Sequence, residues 1–213
     1  MARSKHLADL AGAVATLRQQ FLPPKFDLLG VYQNDQLVRA YARAFVVLAH
    51  AEVESYLESW AKAIAQAAEK TWQGSSRVTT PLACLLATEA ERLTVPHSLA
   101  GTNTKDVPTK LSEEVARVFE RFYKRVKDNN GIKESNVNAL FGPIGLPSSA
   151  LGATLVPLLE YVGSLRGTHA HLAATAVVQS ALDPETEFNR FSQLVSELEV
   201  LDGWLMAYKR TVR

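Results

Sequence analysis

The sequence predicts an all-α fold, a single-domain helical bundle of about six to seven helices with a long second helix, over residues 1–213. Three observations predict it. Apolar residues recur at three- and four-residue spacing through every long segment. Only 11 glycines and 9 prolines interrupt the 213 residues, and they cluster rather than scatter. No apolar–polar alternation marks a strand, and no internal repeat marks a solenoid.

The first helix is expected over about Ser4 to Phe21, with Leu7, Leu10, Val14 and Leu17 on one side and Pro23-Pro24 as its stop. Lys25 to Gln33, with Phe26, Leu28, Leu29, Val31 and Tyr32, reads as a connection packed on the core. Asn34 or Asp35 suits the N-cap of the long second helix, which runs to about Thr71. Its leading stripe reads Leu37, Tyr41, Phe45, Leu48, Val53, Leu57, Trp60 and Ile64. The alanines beside that stripe suggest packing on more than one side. A shorter helix follows over about Pro81 to Leu93. Residues 96–108, rich in Gly, Thr, Asn and Pro, read as a mobile loop.

A charged helix is expected over about Thr109 to Asp128. Leu111, Val115, Val118, Phe122 and Val126 form its apolar side, and Asn129-Asn130-Gly131 ends it. Ser135 to Phe141 makes one or two helical turns before the Gly-Pro turn of Gly142 to Pro147. The penultimate helix covers about Thr154 to Leu172, with Pro157 tolerable only in its first turn. The last begins at Asp183-Pro184, cap then first-turn proline, and reaches about Arg210.

Composition narrows function by exclusion. With 23 Lys and Arg against 22 Asp and Glu, the formal charge is +1, which argues against a coat of nucleic acid but not against a local phosphate site. Cys84, the single cysteine, can form no internal disulfide and no cysteine-based zinc site, and reads as a small buried hydrophobe. A reducing, cytoplasmic setting follows as an expectation. The most apolar run, Ala40 to Ala51, contains Arg43 and His50 and is too short to span a bilayer, so no membrane partner is expected. Phosphate-loop, dinucleotide, His-Glu-x-x-His and Gly-x-Ser-x-Gly motifs are all absent, and no cofactor or metal is called for.

Chemistry concentrates in Gly163-Ser164-Leu165-Arg166-Gly167-Thr168-His169-Ala170-His171. A guanidinium can hold a phosphate through two hydrogen bonds. An imidazole can pass a proton near neutral pH. Together they are a minimal set for cleaving RNA, whose 2′-hydroxyl supplies the nucleophile. At 100° per residue, Arg166 and His169 lie about 60° apart on a regular helix, and Arg166 and His171 about 140° apart. The second pair acts together only if the helix loosens at Gly167 or if both line a cleft between two subunits. His169 and His171 diverge, a poor geometry for zinc. A purely structural account remains open, with Arg166 capping helix carbonyls and the histidines in solvent.

Arg166 to His171 is an Arg-x4-His motif and resembles the Arg-x4–6-His signature of the HEPN superfamily. The setting is similar too: the motif follows Leu158-Leu159-Glu160-Tyr161-Val162 late in a penultimate helix, with one helix after it. Residues Arg43 to Glu58 resemble the long N-terminal helix of the RiboL-PSP-type HEPN branch, so the likeness covers about 35–210. It implies a metal-independent endoribonuclease of the toxin or phage-defence kind, acting on RNA as a homodimer with one composite interface site, and it allows an antitoxin or defence-system partner. Arg166 would orient and neutralise the scissile phosphate and His171 would transfer protons, giving a 2′,3′-cyclic phosphate and a 5′-hydroxyl. Gly167 departs from the family, in which a polar residue often follows the arginine. The alternative is thus a catalytically inactive helical module that binds RNA or a protein partner. His169 is an extra imidazole that the likeness leaves unassigned.

Two further features have both structural and functional readings. His50, Glu54 and Glu58 share one helix face at four-residue spacing; Glu54 and His50 are candidate auxiliaries to the catalytic group, or else parts of a surface row or buried polar pair. The stretch Arg117 to Lys127 could guide an RNA backbone, although Glu113, Glu114 and Glu120 dilute it and suit a solvated face.

Overall fold

A computed structural model describes residues 3–89, 106–171 and 182–212; the side chains of 89, 106–110 and 167–171 lie outside that description. Among the described residues the fold is all-α, about 80% helical and without strands. The helices are α1 (Lys5–Phe21), α2 (Asp35–Ser75), α3 (Thr80–Glu89), α4 (Asp106–Lys127), α5 (Glu134–Phe141), α6 (Leu155–His171) and α7 (Pro184–Thr211). Two 3₁₀ turns, Gly142–Ile144 and Ser148–Leu151, connect α5 to α6. No described helix is long and apolar enough to cross a membrane.

The 41-residue α2 is the axis of the bundle and touches all six other helices. Asn34 caps it by accepting from the Leu37 amide at 3.3 Å. Ala42, Ala49, Ala61, Ala65 and Ala68 are fully buried along it, and their small side chains let neighbours approach from several sides. Helix α1 runs antiparallel to α2, since Phe21 meets Tyr41 at one end and His6 meets Trp60 at the other. Helix α7 runs parallel to it, with Phe191 against Phe45, Asp202 against Trp60, and Thr71 donating to the Val212 carbonyl. One apolar cluster extends from Leu7 to Val212, so α1 joins the core as fully as the stretch from residue 35 onward. Burying each large side chain such as Phe45 or Leu57 contributes about 1.5–3 kcal/mol.

Several expectations need correction. The outer part of the predicted α2 stripe, Leu37, Tyr41 and Leu48, is at least 40% exposed, and Ala42, Val46, Ala49 and His50 hold the core positions instead. The expected packing of the alanine-rich positions on more than one side is observed, and it is these positions that turn inward. The 25–33 connection packs only through Phe26, which lies beside Phe188 and under the Arg18 guanidinium. Leu28, Leu29 and Val31 are exposed, because Asp27 folds the segment into a turn by accepting from the Leu29 and Val31 amides. Leu111 is likewise 39% exposed. The expected loop over 96–108 lies largely outside the described residues, but 106–108 begin α4, with Pro108 in its first turn where no amide is needed. Cys84 is half-buried rather than buried.

Candidate functional site

Helix α6 reaches the site through a close approach. Gly163 is buried against the turn that joins α4 to α5, and a Cβ there would come within 2.8 Å of Lys133 Cγ. Glu160, one turn earlier, accepts from the Glu134 amide at 2.9 Å and holds α6 to the start of α5. The α4–α5 turn is in turn fastened to α2. Asn129 donates to Glu58 at 2.9 Å and to Glu54 at 3.5 Å, and the Gly131 amide donates to Glu54. Gly131 has φ +141°, a conformation that L side chains rarely adopt.

From α6 the Arg166 charge acts on His50 of α2, which is only 1% exposed. Burial, and next the Arg166 charge, push the His50 pKa down to about 4. The imidazole is therefore neutral at physiological pH. Its Nδ1 lies 3.9 Å from Glu54 Oε2, too far for a hydrogen bond, and with a neutral ring the pair is no ion pair. Arg166 itself is half-buried and, among the described residues, makes no ion pair or hydrogen bond. Burial raises the Glu58 pKa, the Asn129 hydrogen bond opposes that shift, and Glu54 adds to it.

The structure thus sets His50 and Glu54 on one face of α2, with the Arg166 charge acting on His50 from α6. Glu54 serves chiefly as a clamp on the α4–α5 turn. The side chains of His169 and His171 lie outside the described residues, but α6 continues as one helix through Gly167 to His171. The loosening at Gly167 that would unite Arg166 with His171 on one chain is absent from the backbone. A regular helix leaves His169 about 60° from Arg166, and His171 about 140° away.

Residue types missed in the sequence complete the frame: Asn129, Gly131 and Asn136, which donates to Asn129 Oδ1 at 3.3 Å. An Asn-Asn-Gly run signals a helix end, and nothing local reveals that its side chain reaches 75 residues back to Glu54. The basic stretch on α4 is internally compensated over its first half. Arg117 pairs with Glu113 and Glu114, and Arg121 with Glu114. Lys124 and Arg125, with Asn129 and Asn130, line a cleft of about 590 Å³ on the outer side of the same turn. No group of three or more His, Cys, Asp or Glu able to hold a metal occurs among the described residues. No protein-family model, curated protein or solved structure matches the chain.

Proposed function

We propose that the chain is a metal-independent endoribonuclease of the HEPN type whose site is built on Arg166 and His171 at a homodimer interface. The observation that carries this reading is the Arg166 charge, which acts on a buried neutral imidazole and has no anionic partner among the described residues. A guanidinium in such a place suits a phosphodiester. Because α6 is continuous, His171 joins the phosphate of Arg166 from the second subunit, across a two-fold axis. The ribose 2′-oxygen then bonds to phosphorus, its proton leaves to a basic group, and the bond to O5′ breaks as O5′ gains a proton. His171 supplies one of those transfers. His50, neutral at pH 7, does not carry protons. Glu54 positions the turn, and His169 is auxiliary. A toxin or defence role, with a cognate antitoxin and a cytoplasmic site of action, belongs to the same proposal.

The test is cleavage of mixed RNA in excess EDTA, with end-group analysis of the products. Cleavage that survives chelation and leaves 2′,3′-cyclic phosphate ends is the expected result. The competing reading, an inactive module that binds RNA or a protein, rests on Gly167 after the motif arginine, and predicts RNA recovered intact at every protein concentration.

A further inference from the structure

A second charged feature lies at the other end of α2, where the N-terminus of α1 meets the C-terminal turns of α2 and α7. A cleft of about 820 Å³ opens there, lined by Lys5, His6, Trp60, Lys70, Lys209 and Arg210 among others. No acidic residue lines it among the described residues. Lys5 is paired with Asp9 at 2.8 Å, but Lys70 and Arg210 have no ion pair among the described residues. The Lys209 ammonium lies 5.9 Å from the Trp60 ring. Asp202 accepts from Ser4, Tyr56 and Trp60, and its charge, with that of Asp9, reaches His6 in the cleft wall.

Helix electrostatics account for part of this cluster. Lys209 and Arg210 sit in the last turn of α7 and complement its dipole. Lys70 lies more than a turn before α2 ends and has no such role. The α1 terminus adds backbone donors next to Ser4, whose own amide and hydroxyl donate to Asp202. Ser4 accepts from the Leu7 and Ala8 amides, which leaves the Lys5 and His6 amides, the first two of the helix, with no intrahelical acceptor. Like charges converge here on a space far larger than one water and within the usual size range of ligand pockets.

We propose that this cleft binds a small polyphosphate, free or carried on a nucleotide, through Lys70, Lys209, Arg210 and the first amides of α1. A polyphosphate carries several charges within a few ångströms and would meet the three cations and the helix terminus together. This site is separate from the α2–α6 face, and its test does not involve RNA cleavage.

Isothermal titration and thermal unfolding of the full chain, at fixed ionic strength, would use tripolyphosphate, ATP, AMP and sulfate. Tripolyphosphate and ATP are expected to bind at least tenfold tighter than AMP and to raise Tm. Equal affinity for the two would assign recognition to the phosphates alone, and tighter ATP binding would add the nucleoside to the site. The exposed substitutions Lys70→Gln and Arg210→Gln should each weaken binding about tenfold, Lys70→Arg should retain it, and Lys124→Gln on the other basic cleft should leave it unchanged. The proposal is overturned by no binding at millimolar tripolyphosphate, by an equal Tm shift with sulfate, or by equal losses from Lys124→Gln and Lys70→Gln.

Discussion

Helix α2 carries two polar clusters on different faces, and they are finished to different degrees. On one face Tyr56 and Trp60 donate to Asp202 at 3.2 and 2.9 Å, and Ser4 adds its amide and hydroxyl at 2.9 and 2.5 Å. That carboxylate is 1% exposed and fully engaged, and it ties α1, α2 and α7 together. On the other face His50, Glu54 and Glu58 meet the α4–α5 turn and Arg166. Here the carboxylates are engaged, but the imidazole is neutral and the guanidinium uncompensated among the described residues. A completed buried network supplies stability and has nothing left to offer a ligand. An incomplete one costs stability and retains binding capacity.

The largest stability effect should come from the completed face. Asp202→Ala removes the acceptor from two buried donors, on Tyr56 and Trp60, and should destabilise by on the order of 3 kcal/mol in urea unfolding. A loss below about 1 kcal/mol would mean that the hub is not the structural half of the pair. Gly145→Val comes next, at roughly 1–3 kcal/mol for strain and overpacking. Gly145 has φ +85°, and an added Cβ would lie 2.8 Å from Cys84 Sγ and 2.9 Å from the Tyr208 hydroxyl.

The incomplete face makes its own prediction through pH. The His50 pKa falls from 6.5 unfolded to about 4 folded, so the unfolded chain binds the extra proton first as pH drops. Stability attributable to the neutral ring is full above 6.5 and declines as pH falls from 6.5 towards 4. Glu58, with its raised pKa, acts in the opposite sense over part of that range. The difference between wild type and His50→Gln therefore isolates His50: the variant should show a flatter decline in urea midpoint between pH 6.5 and 4.5. Arg166→Ala should raise the His50 pKa in an NMR titration, because Arg166 is the second cause of its depression. An unchanged His50 titration in that variant would separate the two residues. The smallest effect belongs to Glu58→Gln, which keeps an acceptor for Asn129 and should shift stability by less than about 1 kcal/mol.

Much of the fold was legible in the sequence because helices announce themselves locally. The Pro23-Pro24 stop, the Asn34 cap and the Asp183-Pro184 start depend on residues a few positions apart. Burial was less legible. Leu37, Tyr41 and Leu48 are as apolar as any core stripe, yet the closely packed alanines of α2 decided which face turns inward. At the candidate site, Arg166 stood out through its neighbours, and the His50–Glu54–Glu58 row through its spacing. The link between them did not, since it runs through Asn129, Gly131 and Gly163, whose roles depend on contacts distant in sequence. The cationic cleft at the far end was equally hidden, because Lys5, Lys70 and Lys209 lie on three separate helices.

The most direct test is the rate of RNA cleavage in EDTA by wild type and by Arg166→Ala, His171→Ala and His169→Ala, each checked by circular dichroism. Arg166→Ala and His171→Ala should each lower the rate by about 10²–10⁴-fold with helicity intact, and His169→Ala should cost less. Mixing the two inactive variants should restore part of the activity through heterodimers that hold one intact pair. Wild-type rates from a folded Arg166→Ala protein would contradict the account at its centre.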